Sequence, residues 1–327
     1  MGISFWREEN GGNMEEYMGY EKYRTALLGA LKEKFGDEAV TMRNIYKNND
    51  MEKEVFRVCP EGENDGEGSL IFPEDCYQDY MERGITLKQS VRRIADTRKQ
   101  INQENIYFQM RCKLKDWDSI KSEIYPILLS TESNRKSLEG VIRRELMDFS
   151  IVYAVRLMIG EGYRCQVKIT ERMLIFYGVS VTELHNQALL NMKRDGYKLW
   201  RMEDIVLGIL NEREEEREKI APAPECRSVD KPERLGMYVL TNSIRMFGAA
   251  GILDREFLKD KLGEKDYYIL PSSVHEIILI PAVEEMSWEA LNCIVREVNE
   301  SEVPEEDRLS DHCYFYEGKT GKFRSCA

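Results

Sequence analysis

Tyr267-Tyr268-Ile269-Leu270-Pro271-Ser272-Ser273-Val274-His275-Glu276-Ile277-Ile278-Leu279-Ile280-Pro281 is the stretch that decides the fold. An aromatic and aliphatic run, a Pro-Ser-Ser interruption and the run HEIILI read as two short strands, Tyr267–Leu270 and His275–Ile280, joined by a turn. Proline cannot donate to a sheet ladder, so Pro271 and Pro281 mark where pairing stops. Upstream, Met237–Leu240 reads as a strand ending in Thr241-Asn242. Gly248–Leu262 reads as a helix burying Ala249, Ala250, Leu253, Phe257 and Leu258, with Gly263 after its end. Downstream, Ser287 caps a helix whose Trp288, Leu291, Val295 and Val298 share one face, and Cys313–Tyr316 closes the set. The order is βαββαβ, over residues 235–327.

The rest of the chain predicts an α+β fold with mixed, mainly antiparallel sheets. Residues 1–13, with Gly2, Gly11 and Gly12, read as a mobile arm, and 14–210 as an N-terminal and central α+β portion. There Tyr20, Tyr23, Leu27, Leu28, Leu31 and Phe35 recur at helical spacing and Gly36 stands at a C-cap. Ala39–Tyr46 and Val55–Cys59 read as strands around the polar turn Lys47–Asp50. The acidic loop Glu61–Gly68 is no EF-hand, because Phe72 stands where the bidentate Glu belongs. Thr86 and Gln89 form a capping box for a helix with a basic stripe, Arg92, Arg93, Arg98 and Lys99, expected to be solvated.

Ile106–Cys112 alternates like a strand, and Asp118–Leu129 and Lys136–Leu146 read as short helices. Phe149–Leu157 is a buried strand, with Cys165–Ile169 as its hairpin partner. Thr170 opens Glu171–Tyr177, Gly178 ends it, and Ser180 with Glu183 opens Val181–Lys193. Tyr197–Leu210 fits strand or helix. The charged, Pro-containing run 211–234 reads as a linker or surface loop.

Composition narrows the function. The net charge of −12 repels phosphate backbones and anionic lipid, so neither nucleic acid nor membrane is an expected partner. No apolar run reaches the ~20 residues that cross a bilayer, and Arg7, Glu8 and Glu9 interrupt any signal-peptide core. A cytoplasmic location is expected. The 8 cysteines contain no CxxC, which argues against zinc knuckles and redox pairs and for reduced thiols.

Tyr238–Asn242, Gly248-Ala-Ala250, Tyr268–Glu276, Arg296-Glu-Val-Asn299 and Leu309-Ser-Asp311 together resemble a domain-of-unknown-function family of Clostridia-type bacteria. The segment from Phe149 to LHNQALLNMKR (Leu184–Arg194) resembles the same family, and more faintly a second uncharacterised family of bacilli. The resemblance implies a cytoplasmic bacterial protein. It brings no activity, substrate or catalytic residue.

Polar residues gather at the ends of the module's elements: Thr241, Asn242, Ser272, Ser273, His275, Glu276, Asn299, Ser310, Asp311 and His312. Element ends on one side of a sheet converge into pockets. The catalytic reading takes Ser272 or Ser273 as nucleophile, His275 or His312 as base and Asp311 as its orienter, since a serine hydroxyl needs a neighbour to take its proton. There is no G-x-S-x-G elbow, and Pro271-Ser272-Ser273 equally makes a turn whose hydroxyls satisfy backbone. Thr241, Asn242, Glu276, Asn299 and His312 are the candidate binding residues. A metal set from His275, Glu276, Asp311, His312 and Cys313 has no spacing to support it, no P-loop or GxGxxG is complete, and no cofactor is expected. With three histidines and no complete catalytic signature, the expected function is a non-catalytic interaction or regulatory protein that binds a protein partner. The rival is a hydrolase-like enzyme using the Ser/His/Asp cluster.

Overall fold

The computed structural model describes residues 6–8, 14–59, 68–159, 163–205, 236–271, 273–283 and 286–325. The fold is α+β with mainly antiparallel sheets, as the sequence predicts. Two compact units divide it, one drawn from 1–47, 52–112 and 159–161, the other from 48–51, 113–158 and 162–327. Residues 61–67 of the acidic loop, the run 211–234 and Ser272 lie outside the described residues.

In the first unit, β1 (Trp6–Glu8) pairs antiparallel with β2 (Met14–Glu16). Helix α1 (Tyr20–Phe35) buries Tyr23, Leu27 and Leu31, one residue per turn on a single face. That stripe packs on Val40 of β3 (Val40–Tyr46) and on Phe56 and Val58 of β4 (Glu52–Val58), which β5 (Ser69–Ile71) extends antiparallel. Helix α2 (Pro73–Arg83) adds Tyr77 and Tyr80, and Tyr23 stacks on Tyr80 at 5.0 Å between centroids. The buried Tyr23 hydroxyl donates to Cys76 O at 3.1 Å, so this aromatic brings its polar end to a partner.

Helix α3 (Leu87–Gln103) opens with the predicted capping box, Gln89 N on Thr86 Oγ1 and Thr86 N on Gln89 Oε1. Its basic stripe is only partly solvated. Arg98 is buried and donates to Val58 O at 2.6 Å and Cys59 O at 3.0 Å, tying the helix to the end of β4. Helix α4 (Ile106–Leu114) stands where the alternation predicts a strand. Asn105 takes a left-handed φ of 52° and accepts from Gln109 N, which starts a helical turn. Gln109, Met110, Arg111, Lys113 and Leu114 are good helix formers, and no strand pairs there.

In the second unit, α5 (Trp117–Ile120) is capped by Asp116 and gives way to β6 (Ile124–Ser130), which replaces most of the expected helix. Tyr-Pro-Ile-Leu-Leu is a continuous apolar run, and Pro126 fits because β6 is an edge strand that, among the described residues, pairs only with β8 (Phe149–Ile159). The second expected helix is a turn-rich segment from 131 to 140 followed by β7 (Arg143–Leu146); Gly140, at φ +68°, ends the one helical turn. β9 (Tyr163–Lys168) pairs with β8 as predicted. The αα-hairpin follows its start and stop signals: α6 (Glu171–Tyr177) runs from Thr170 to left-handed Gly178, and α7 (Val181–Asp195) starts at Ser180.

A six-stranded antiparallel sheet forms the rest, with β10 (Tyr197–Arg201) added to the predicted module. The strands are β11 (Tyr238–Asn242), β12 (Tyr267–Leu270), β13 (Ile277–Pro281), β14 (Tyr314–Glu317) and β15 (Lys322–Ser325), in the order β10-β11-β13-β12-β14-β15. β13 lies antiparallel between β11 and β12, so the connection from β11 to β12 skips one strand. The predicted helix 248–262 is two pieces: a tight turn of 3-10 helix over Gly248–Leu253, then α8 (Arg255–Leu262) capped by the Asp254 carboxylate on Phe257 N. Helix α9 (Trp288–Ser301) packs Leu291 and Val295 on Tyr268, Leu270 and Phe315.

Candidate functional site

The residues picked from the sequence separate into two groups. Thr241, Asn242, Ser273 and His275 come together where β11, β12 and β13 end, and their bonds fasten turns. Thr241 Oγ1 donates to His275 O at 2.8 Å, and Asn242 brackets Met246 through both its backbone groups. The Ser273 hydroxyl accepts from His275 N at 3.0 Å. His275 Nδ1 accepts from Phe247 N at 3.1 Å, which puts its ring proton on Nε2, 3.3 Å from Asp307 Oδ1. Both ring nitrogens thus face other partners than Ser273. Glu276 is exposed. Neither of the two cavities described below is lined by these residues.

In the second group, Ser310, Asp311 and His312 line a cavity of about 850 Å³. Asn299, 1 % exposed, donates from Nδ2 to Ser310 O at 2.8 Å and Asp311 Oδ1 at 2.7 Å, and so fixes the segment 310–312 against α9. Ser310 Oγ lies 3.3 Å from His312 Nδ1 and 3.1 Å from the Tyr314 hydroxyl, which donates to Asp148 at 2.6 Å. His312 Nε2 is buried 3.2 Å from Asp148 Oδ2, out of line for a hydrogen bond. Burial of Asp148 works against its ionisation, yet His312 and Tyr314 outweigh it and hold the carboxyl below its usual range. Ser310, His312, Asp148 and Tyr314 form a closed polar ring at the cavity wall. Among the described residues no three His, Cys, Asp or Glu side chains gather in a way that would hold a metal ion.

Sequence reading misses half of this wall. Asp148 sits in the two-residue turn between β7 and β8, beside Met147 at a left-handed φ of 55° that glycine would normally take. Arg143 and Arg308 each donate a guanidinium N–H to a backbone carbonyl, Leu138 O and Val303 O, which pins them at the cavity. Asn49, also left-handed, donates to Glu305 O at 2.6 Å and Arg308 O at 2.7 Å, while its own N–H goes to Asn134 Oδ1 at 2.7 Å. Asp50 accepts from Lys136 N and Ser137 N. The cavity wall is therefore a hydrogen-bonded scaffold before any ligand enters. The Asn-Asn-Asp triplet at 48–50 is the one sequence signal for it, since both residue types tolerate left-handed backbone.

A family described as Family of unknown function (DUF5688) matches residues 20–318. No curated protein and no solved structure matches the chain.

Proposed function

The chain belongs to the DUF5688 family of unknown function, and on that premise we propose a non-catalytic recognition protein of the bacterial cytoplasm. Its larger cavity seats a segment of a protein partner that carries both signs of charge. One observation carries this reading. The cavity wall holds unengaged charge of both signs: Arg143 and Arg308 have no ion pair among the described residues, and the Glu145 and Glu305 carboxylates have neither ion pair nor hydrogen bond among them. Such groups exchange water for ion pairs with a ligand of complementary charge order, which gives specificity more than raw affinity. A polyanion would meet Glu145, Asp148, Glu305 and Asp311 along the same wall, and a chain of net charge −12. For the cytoplasmic location, the support is that no helix among the described residues is long and apolar enough to cross a membrane, together with scattered free thiols.

The test is capture from the native host with the full chain as bait. Wild type is expected to return a stoichiometric partner, and Arg143→Glu with Arg308→Glu to lose it while keeping the wild-type melting temperature. A partner retained by that double variant would place recognition elsewhere.

A specific geometry favours a second reading, acyl hydrolysis at Ser310. There the Ser310 hydroxyl would pass its proton to His312 Nδ1 as Oγ attacks a carbonyl, and Asp148 would stabilise the resulting imidazolium. A fluorophosphonate probe decides it. Labelling that survives Ser273→Ala and disappears in Ser310→Ala supports hydrolysis; an unlabelled wild-type chain removes the reading.

A further inference from the structure

A second cavity in the same unit, about 400 Å³, differs in kind from the first. Aliphatic and aromatic side chains, Leu146, Leu189 and Phe323 among them, make much of its lining, and its volume falls within the ~300–1,000 Å³ of small-molecule sites. Half of the lining is polar or charged: Arg144, Glu145, His185, Lys193, Asp254, Arg255 and Glu256. Glu256 is engaged with Lys193 at 2.6 Å, and Asp254 caps α8. Arg144 and Arg255 have no hydrogen bond or ion pair among the described residues. With Glu256 on Lys193, the lining sets Arg144 and Arg255 against Asp254 and the exposed Glu145, so its formal charge is balanced and the two guanidinium forks are its unengaged donors.

His185 adds a donor of defined direction. Its Nδ1 lies 2.8 Å from the hydroxyl of Tyr153, which is fully buried. Burial pushes the Tyr153 phenol far up, so it keeps its proton and needs an acceptor. Nδ1 is the acceptor, and the ring proton therefore sits on Nε2, for which no partner is found among the described residues. Burial, with Arg144 nearby, lowers the His185 pKa and keeps the ring neutral. Two guanidinium groups and one imidazole N–H thus stand on this wall without an acceptor among the described residues.

We propose that this cavity binds an amphipathic monocarboxylate, a small molecule with an aliphatic or aromatic body and one carboxylate head. The head is taken by Arg144, Arg255 and the His185 Nε2–H, because forked guanidinium donors match a carboxylate's two oxygens. The body lies on Leu189 and Phe323. This site shares only Glu145 with the lining of the recognition cavity and stands or falls without that reading.

Isothermal titration of the full chain at low salt tests it, with octanoate and 4-phenylbutyrate as probes and acetate and octanol as controls. One saturable site is expected for at least one probe, with both controls at least tenfold weaker. Arg144→Gln with Arg255→Gln, both exposed positions, is expected to weaken that probe at least tenfold at unchanged melting temperature. Arg143→Glu with Arg308→Glu is expected to leave it unchanged. The proposal is overturned if neither probe binds, if octanol binds as well as octanoate, or if the double glutamine variant binds like wild type.

Discussion

Replacing Gly248 with alanine is expected to destabilise the second unit by about 3 kcal/mol, the upper end of what overpacking a core usually costs. A Cβ at this position would stand 2.2 Å from Thr241 Oγ1, 2.5 Å from His275 O and 2.9 Å from Asn242 N. The threonine hydroxyl can rotate away only by giving up its bond to His275 O. The other two atoms are backbone. His275 is held by Ser273 Oγ on its N–H and by Phe247 N on its ring, and Asn242 is paired in β11 with Tyr197. Nothing in this corner yields cheaply. Urea unfolding should show a lower midpoint at unchanged slope. Gly29→Ala is the matched control: it sits in α1 with nothing within 4 Å of a Cβ, so it should gain about 0.5–1 kcal/mol through helix propensity. A Gly248→Ala loss below about 1 kcal/mol would mean that the corner moves as a whole, and that the turn bonds at Thr241 and His275 do not hold it.

That corner shows what the sequence can and cannot carry. The polar letters at Thr241-Asn242 and at Ser273 to His275 stand out because turns need side chains that satisfy backbone groups, and this is what most of them do. Caps were legible for the same reason: Thr86, Thr170, Ser180 and Ser287 all accept from a backbone N–H three residues on, an interaction contained in four letters. Local pattern fails where tertiary context decides. Ile106–Leu114 alternates like a strand but has no strand beside it, and Ile124–Ser130 is strand because β8 is there to pair with it. The larger cavity divides along the same line. Ser310, Asp311 and His312 are neighbours in sequence, and a local reading finds them together. Asp148, Arg143 and Asn49 reach the same wall from 162 to 263 positions away, and no local pattern announces that meeting.

Asn134→Ala is expected to cost about 3 kcal/mol or more and to disable the larger cavity with it. Asn134 is 0 % exposed, and its amide uses both ends: Nδ2 donates to Asn49 Oδ1 and Ser130 O, each at 2.8 Å, while Oδ1 accepts from Asn49 N at 2.7 Å and Ser137 Oγ at 3.1 Å. Truncation leaves Asn49 N–H and Ser130 O without these partners, and each polar group left unsatisfied in a buried site costs about 1–3 kcal/mol. The loss then passes along the scaffold. Asn49 is held in left-handed backbone and donates to Glu305 O and Arg308 O, so once it loosens, the segment presenting Arg308 loses its anchor. A double-mutant cycle isolates this step. Asn49→Ala and Asn134→Ala are expected to be non-additive by about 1 kcal/mol or more, because both remove the bond from Asn134 Nδ2 to Asn49 Oδ1, while Asn134→Ala also takes the acceptor from the Asn49 backbone N–H. The smaller cavity draws no residue from this network, so octanoate binding there, measured below the melting temperature, should survive in Asn134→Ala. Additive losses in the cycle would mean that the two asparagines act separately, and that the cavity wall is not one hydrogen-bonded unit.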